Sequence, residues 1–120
     1  MEQVYEFNTD DVAESVAISS LEYAPETQTL WLLTSFENGN GVEDIGGYLW
    51  SLPTTGLPLK GQPTLVRHDD ETPLKFSHKA EGVTPMDNHH LLVIHDDDRR
   101  VGAKLQRDLH QAVLQIVQIP

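Results

Sequence analysis

Apolar residues along this chain come in short runs broken by turn formers, a pattern that predicts strands throughout most of its length. Val4-Tyr5-Glu6-Phe7 alternates apolar and polar positions and reads as an edge strand, with residues 8–11 turning after it. Residues 16–23, VAISSLEY, form the next strand and stop at Ala24-Pro25-Glu26-Thr27. Residues 29–36, TLWLLTSF, are apolar on both faces, which predicts a strand buried on both sides. Gly39, Gly41, Gly46 and Gly47 make residues 37–47 read as loop, and Tyr48-Leu49-Trp50-Ser51-Leu52 is a strand ended by Pro53. Residues 52–63 read as a connection, 64–68 as a short outer strand and 69–77 as a polar loop. A hairpin follows over residues 79–98. Its first strand opens on Glu81-Gly82 and its turn is placed at Pro85-Met86-Asp87-Asn88. Its second strand, Leu91-Leu92-Val93-Ile94, runs into His95 and three aspartates.

Residues 99–119 read two ways. Val101, Leu105, Leu109 and Val113 fall at helical spacing, whereas AVLQIVQI at 112–119 is β-branched and of strand length. The strand reading is preferred for the end of this stretch. An internal repeat then sets the architecture, because VAISSLEYAPETQTLWLLTS and HKAEGVTPMDNHHLLVIHDD share one grammar. Each has a strand carrying a glutamate (Glu22, Glu81), a proline-containing turn and a bulky apolar strand. The expected fold is a single all-β domain of two four-stranded antiparallel blade-like units, at about 16–68 and 79–119. Trp31, Leu33, Leu49, Leu92 and Ile94 are expected to be largely buried. The rival is an α+β domain with 100–118 helical.

Composition narrows the function classes. The chain has 120 residues, enough for one domain with a modest core, and no apolar run approaches a membrane span. Its N-terminus lacks the basic and apolar regions of a signal peptide, so a soluble protein is expected, in the cytoplasm or the periplasm. The absence of cysteine removes disulfides, thiolate metal sites and cysteine nucleophiles. Nineteen acids against eight bases give a formal charge of -11, a field that repels phosphate backbones and attracts cations. Nucleic acid is therefore not an expected partner.

Leu21-Glu22-Tyr23 with the strand at 30–35, Tyr48-Leu49-Trp50, and Lys79-Ala80-Glu81-Gly82-Val83 with the strand running to Asp97 carry a resemblance. Together these segments resemble a family of bacterial β-propeller domains of unknown function, and more distantly phytase-like and gluconolactonase-type propellers. The resemblance implies several blades around a central channel, with the Glu-Gly glutamate near its inner mouth. In some relatives of this kind a glutamate and an aspartate hold a divalent cation. Two blades cannot close a ring. The resemblance therefore implies a cyclic homo-oligomer, most simply a trimer, in which residues 1–8 close a neighbour's last blade by pairing with residues 112–119.

The candidate cation site is Glu81 with Asp96 or Asp97, and Glu22 holds the corresponding place in the first unit. Calcium or magnesium suits it, because carboxylates and loop carbonyls alone satisfy these hard cations. The competing reading is that Glu81 accepts backbone hydrogen bonds and the aspartates cap a turn. His78, His89, His90 and His95 lie close in sequence but share no metalloprotease spacing, and His89 and His90 point opposite ways along a strand. Ser19, Ser20 and Ser35 lack a nucleophile-elbow setting, and Gly39-Asn40-Gly41 lacks the lysine of a phosphate loop. Arg99 and Arg100 read as partners of the preceding aspartates. Trp31 and Trp50 read as core residues before they read as ligand platforms. The expectation is a propeller-like binding or structural module. The alternative is a divalent-metal-dependent hydrolase of phytase-like or lactonase type, with Glu81 and Asp96 holding the metal.

Overall fold

A computed structural model of the chain describes residues 2–39, 41–95 and 113–119. Their regular structure is antiparallel β, apart from one 3₁₀ turn at Val42–Asp44. No described helix is long and apolar enough to cross a membrane. The strands are β1 (Ala17–Ala24), β2 (Thr29–Glu37), β3 (Ile45–Pro53), β4 (Thr64–Leu65), β5 (Lys75–Phe76), β6 (Ala80–Asp87), β7 (His90–His95) and β8 (Val113–Gln118). They form a five-stranded sheet, β1-β2-β3-β4 with β5 also on β3, and a three-stranded sheet, β6-β7-β8.

The two four-stranded units expected from the repeat are thus sheets of five and three strands. The extra strand comes from Lys75–Phe76, inside the stretch read as polar loop. Here β3 is long enough to take β4 at Trp50 and Ser51 and β5 at Gly47 and Tyr48 along one edge. β3 also begins earlier than its glycines suggest. A Cβ on Gly46 would lie 2.6 Å from the Phe76 carbonyl, and one on Gly47 would lie 2.7 Å from the Thr34 carbonyl and 3.1 Å from the Ala80 Cβ. The two glycines are strand residues at which neighbouring chain comes too close for a side chain.

β2 carries the core on both faces. Trp31 and Leu33, with Leu49 of β3, face the second sheet and pack with Val83, Leu91 and Val93. Leu32 and Phe36, with Tyr48 and Trp50, face the opposite way and are covered by Tyr5, Phe7, Val12 and Val16. The Phe7 ring stands edge-on to Trp50, 5.1 Å between centroids. The buried Trp50 indole N–H donates to Thr34 Oγ1 at 2.9 Å, so the polar atoms of this layer have partners.

Residues 1–8 were expected to pair as a closing strand, and among the described ones, 2–8, there is no strand. Gln62 takes the backbone groups that a neighbouring strand would have used. Its Nε2 donates to the Glu6 carbonyl at 3.0 Å, and its Oε1 accepts the Asn8 N–H at 2.8 Å. Tyr5 Oη donates to the Gly61 carbonyl. The arm is fastened to its own chain.

The second sheet corrects one face assignment. Leu91 and Val93 are fully buried, Leu92 is half-buried and Ile94 is 43% exposed, the reverse of the expected burial of Leu92 and Ile94. LLVI carries no polar residue to mark its outer side. Pairing with Val83 on β6 and Val117 on β8 decides the face, since one residue of slip turns every side chain over. Of the stretch read as helix or strand, residues 113–118 form β8, and residues 96–112 lie outside the described residues.

Burial predicts that Leu91→Ala costs about 2–5 kcal/mol in urea unfolding, while Ile94→Ala costs under about 1 kcal/mol. Equal losses would contradict the register.

Glu14 joins the arm to the sheet electrostatically. Its Oε1 accepts the Tyr48 hydroxyl at 2.6 Å and its Oε2 lies 2.8 Å from Lys75 Nζ. Burial and the Glu14 carboxylate hold the Tyr48 phenol well above its ordinary value. Burial works to raise Glu14, but the hydrogen bonds from Lys75 and Tyr48 outweigh it and set the carboxyl below its ordinary 4.5. A depressed carboxylate pKa stabilises the fold above the unfolded value, and that contribution is lost as pH falls through the lowered folded value. Glu14→Gln should therefore cost about 1 kcal/mol near neutrality and almost nothing at the acid end, measured by urea unfolding across pH.

Candidate functional site

At one end of the stacked sheets lies a half-open groove of about 610 Å³. Three segments converge there: the β1–β2 turn, the outer strand β4 with the residues after it, and the β6–β7 end. Trp31 forms part of its lining although only 8% exposed, because β2 begins at this mouth of the core. Leu65, Pro85, Met86 and Ile119 continue the apolar lining.

Local β chemistry puts Met86 there. β6 pairs Pro85 with Leu91 and Asp87 with His90, so Met86 is an extra, unpaired residue, a bulge. It stands 58% exposed in the groove wall. The β6–β7 connection is therefore Asn88-His89, later than the turn expected at Pro85-Met86-Asp87-Asn88. Pro85 fits inside the strand because β6 is an edge of its sheet. Asp87 closes the turn, accepting the His89 backbone N–H at 2.8 Å and lying 2.9 Å from His90 Nδ1. Those contacts, the His89 N–H first, hold its carboxyl below the usual range.

The rim of the groove is acidic. Glu22, Glu26 and Asp87 line it, against Arg67 alone among the lining bases. Arg67 Nη1 donates to the Glu71 carbonyl at 2.9 Å, which ties it to its own loop.

The residues expected to hold a cation are distributed differently. Glu22 lines the groove; Glu81 does not. Glu81 is a second bulge residue of β6, skipped between the Ala80–His95 and Gly82–Ile94 pairs. The bulge aims its carboxylate at Lys79, whose Nζ lies 3.6 Å from Glu81 Oε1 and 3.3 Å from Glu37 Oε2. Two carboxylates thus share one ammonium. Asp96 and Asp97 lie outside the described residues. No three histidine, aspartate or glutamate side chains gather at one point among the described residues.

The histidines divide between the two ends of β7. His90 belongs to the turn with Asp87. His95 is buried, with Nε2 3.0 Å from Gln115 Oε1 and its ring 5.4 Å from those of Phe76 and His78. Ser19 also finds a structural use. It is the bulge residue of β1, and its Oγ lies 3.1 Å from the Leu33 carbonyl and 2.8 Å from the Ala80 carbonyl of the other sheet.

Sequence reasoning missed the groove. Of its lining residues, Glu22 was read as a metal ligand, and Trp31 was read as core before ligand platform; Trp31 does sit in the core cluster and lines the groove as well. Met86, an exposed apolar residue directly after a strand proline, was the one local signal that could have marked it. No family model, curated protein or solved structure matches the chain.

Proposed function

We propose that this chain is a propeller-like binding module that works without catalysis, and that the groove is its ligand seat. The observation that carries the reading is the groove itself. Its volume lies within the roughly 300–1,000 Å³ usual for ligand sites, and its lining joins an apolar patch to a few placed charges. The blade-like reading draws support from two antiparallel sheets that stack through β1, β2 and β6.

The chain has two tryptophans, Trp31 in the groove and Trp50 under the N-terminal arm. In a proton–nitrogen correlation spectrum, unlabelled indole as a neutral aromatic probe should move the Trp31 Nε1–H signal and leave that of Trp50 in place. Met86→Arg, which fills the groove, should abolish the shift. A titration that moves neither signal, or both equally, counts against the groove as a ligand seat.

The second reading is the divalent-metal-dependent hydrolase of phytase-like or lactonase type. What favours it is that Glu37 and Glu81 already converge on a single positive charge at Lys79. A calcium or magnesium ion taking the place of the Lys79 ammonium between these two carboxylates would polarise a substrate oxygen and activate water. On this reading, calorimetric titration with calcium gives a binding heat and a rise in melting temperature, both absent in Glu81→Gln. No heat and no rise in the unaltered chain would remove it.

A further inference from the structure

The lining of the groove also speaks to the chemistry of its occupant. Three runs of consecutive residues line it, 22–27, 64–67 and 84–88. A run of consecutive residues presents a length of backbone to an occupant. β4 is the last position of its sheet at this point. The Val66 N–H donates inward to the Leu49 carbonyl at 2.9 Å. Alternation along an antiparallel ladder then turns the Leu65 N–H and C=O to the outer side of β4. An extended chain laid in the groove can use that edge, and its side chains, alternating, meet the apolar lining at every second position.

Charge selects the remaining side chains. Glu22, Glu26 and Asp87 line the groove, three carboxylates against the one lining base, Arg67, which the Glu71 carbonyl ties to its own loop. The His89 N–H and the His90 ring favour the Asp87 carboxylate and hold its pKa below the usual value. The whole chain adds a field of the same sign, at a formal -11.

We infer that the groove takes an extended peptide segment in which basic residues alternate with apolar ones, the apolar side chains against Trp31 and Met86 and the basic ones against Glu22, Glu26 and Asp87. This rests on the reading of the groove as a ligand seat.

Three capped pentapeptides test it on the full chain: Lys-Leu-Lys-Leu-Lys, Ser-Leu-Ser-Leu-Ser and Glu-Leu-Glu-Leu-Glu. The Trp31 and Trp50 indole signals serve as readout, and spermidine serves as a cation without apolar groups. The lysine peptide should move Trp31 alone and bind about tenfold or more tightly than the serine peptide. The glutamate peptide and spermidine should leave Trp31 unmoved. Each exposed ion pair is worth about threefold, so a double variant, Glu22→Gln with Glu26→Gln, should weaken the lysine peptide roughly tenfold. Glu43→Gln, an equal kind of charge change outside the groove lining, should not.

Equal binding of the lysine and serine peptides overturns the basic class and leaves the ligand seat standing. Movement of Trp31 by indole but by none of the peptides overturns the peptide class, again with the seat intact. Equal weakening by Glu43→Gln and by the groove variant reduces the effect to the general field and overturns the inference. If indole and all three peptides leave Trp31 in place, the ligand seat falls with it.

Discussion

Everything in this fold answers to one constraint: β2 is apolar on both faces. A strand of sequence TLWLLTSF cannot lie on a surface, because one sheet can hide only one of its sides. The second sheet covers Trp31 and Leu33. The N-terminal arm covers Leu32 and Phe36, and with them Tyr48 and Trp50 of β3. The two covers differ in kind. The second sheet brings its own ladder of backbone hydrogen bonds. The arm has none and borrows the Gln62 side chain, while Tyr5 and Glu14 hold it at two further points.

The stacking of the two sheets depends on departures from regular pairing. At one end the β1 bulge pushes Ser19 outward, so that its hydroxyl meets the Ala80 carbonyl across the interface. At the same end Gly47 lets the Ala80 methyl approach the β3 backbone. This close end fixes β6 against β1. The groove opens where the turns after β1 and β6 lie, around Pro25 and Asn88. Close approach at Ala80 and open space at Trp31 belong to one packing arrangement.

The three long strands of the first sheet were legible because turn formers bracket their apolar runs: residues 16–23, 29–36 and 48–52 are all inside observed strands to within a residue. The face of β7 was not legible, since Leu91-Leu92-Val93-Ile94 offers no polar contrast and its face is set by Val83 and Val117, remote in sequence. Residues 46 and 47 misled for a related reason. Glycine counts as a breaker from sequence alone, yet here it records how near Phe76 and Ala80 lie. Val4 to Phe7 has the alternation of a strand, but its partner is the side chain of Gln62, which no periodicity announces. Of the candidate site, Glu22 and Glu81 were picked out as equivalents by the repeat. The structure gives them different surroundings because β1 and β6 carry their bulges at different places relative to those residues.

β6 shows how a device of stability also shapes the groove. As an edge strand it has unpaired backbone that invites association with other chains, and natural edges are blunted by prolines, bulges and charges. β6 carries all three: Pro85, the bulges at Glu81 and Met86, and the charges of Glu81 and Asp87. A bulge also redirects the residue it leaves unpaired. At Glu81 the redirected carboxylate reaches Lys79. At Met86 the redirected side chain is apolar, and it lines the groove together with Trp31. Had the strand continued in regular register, Met86 would have paired across β7 with no reason to line the mouth of the core. The same irregularity that spoils β6 for indiscriminate pairing therefore supplies the groove with one apolar wall, and Asp87 beside it supplies the adjoining charge.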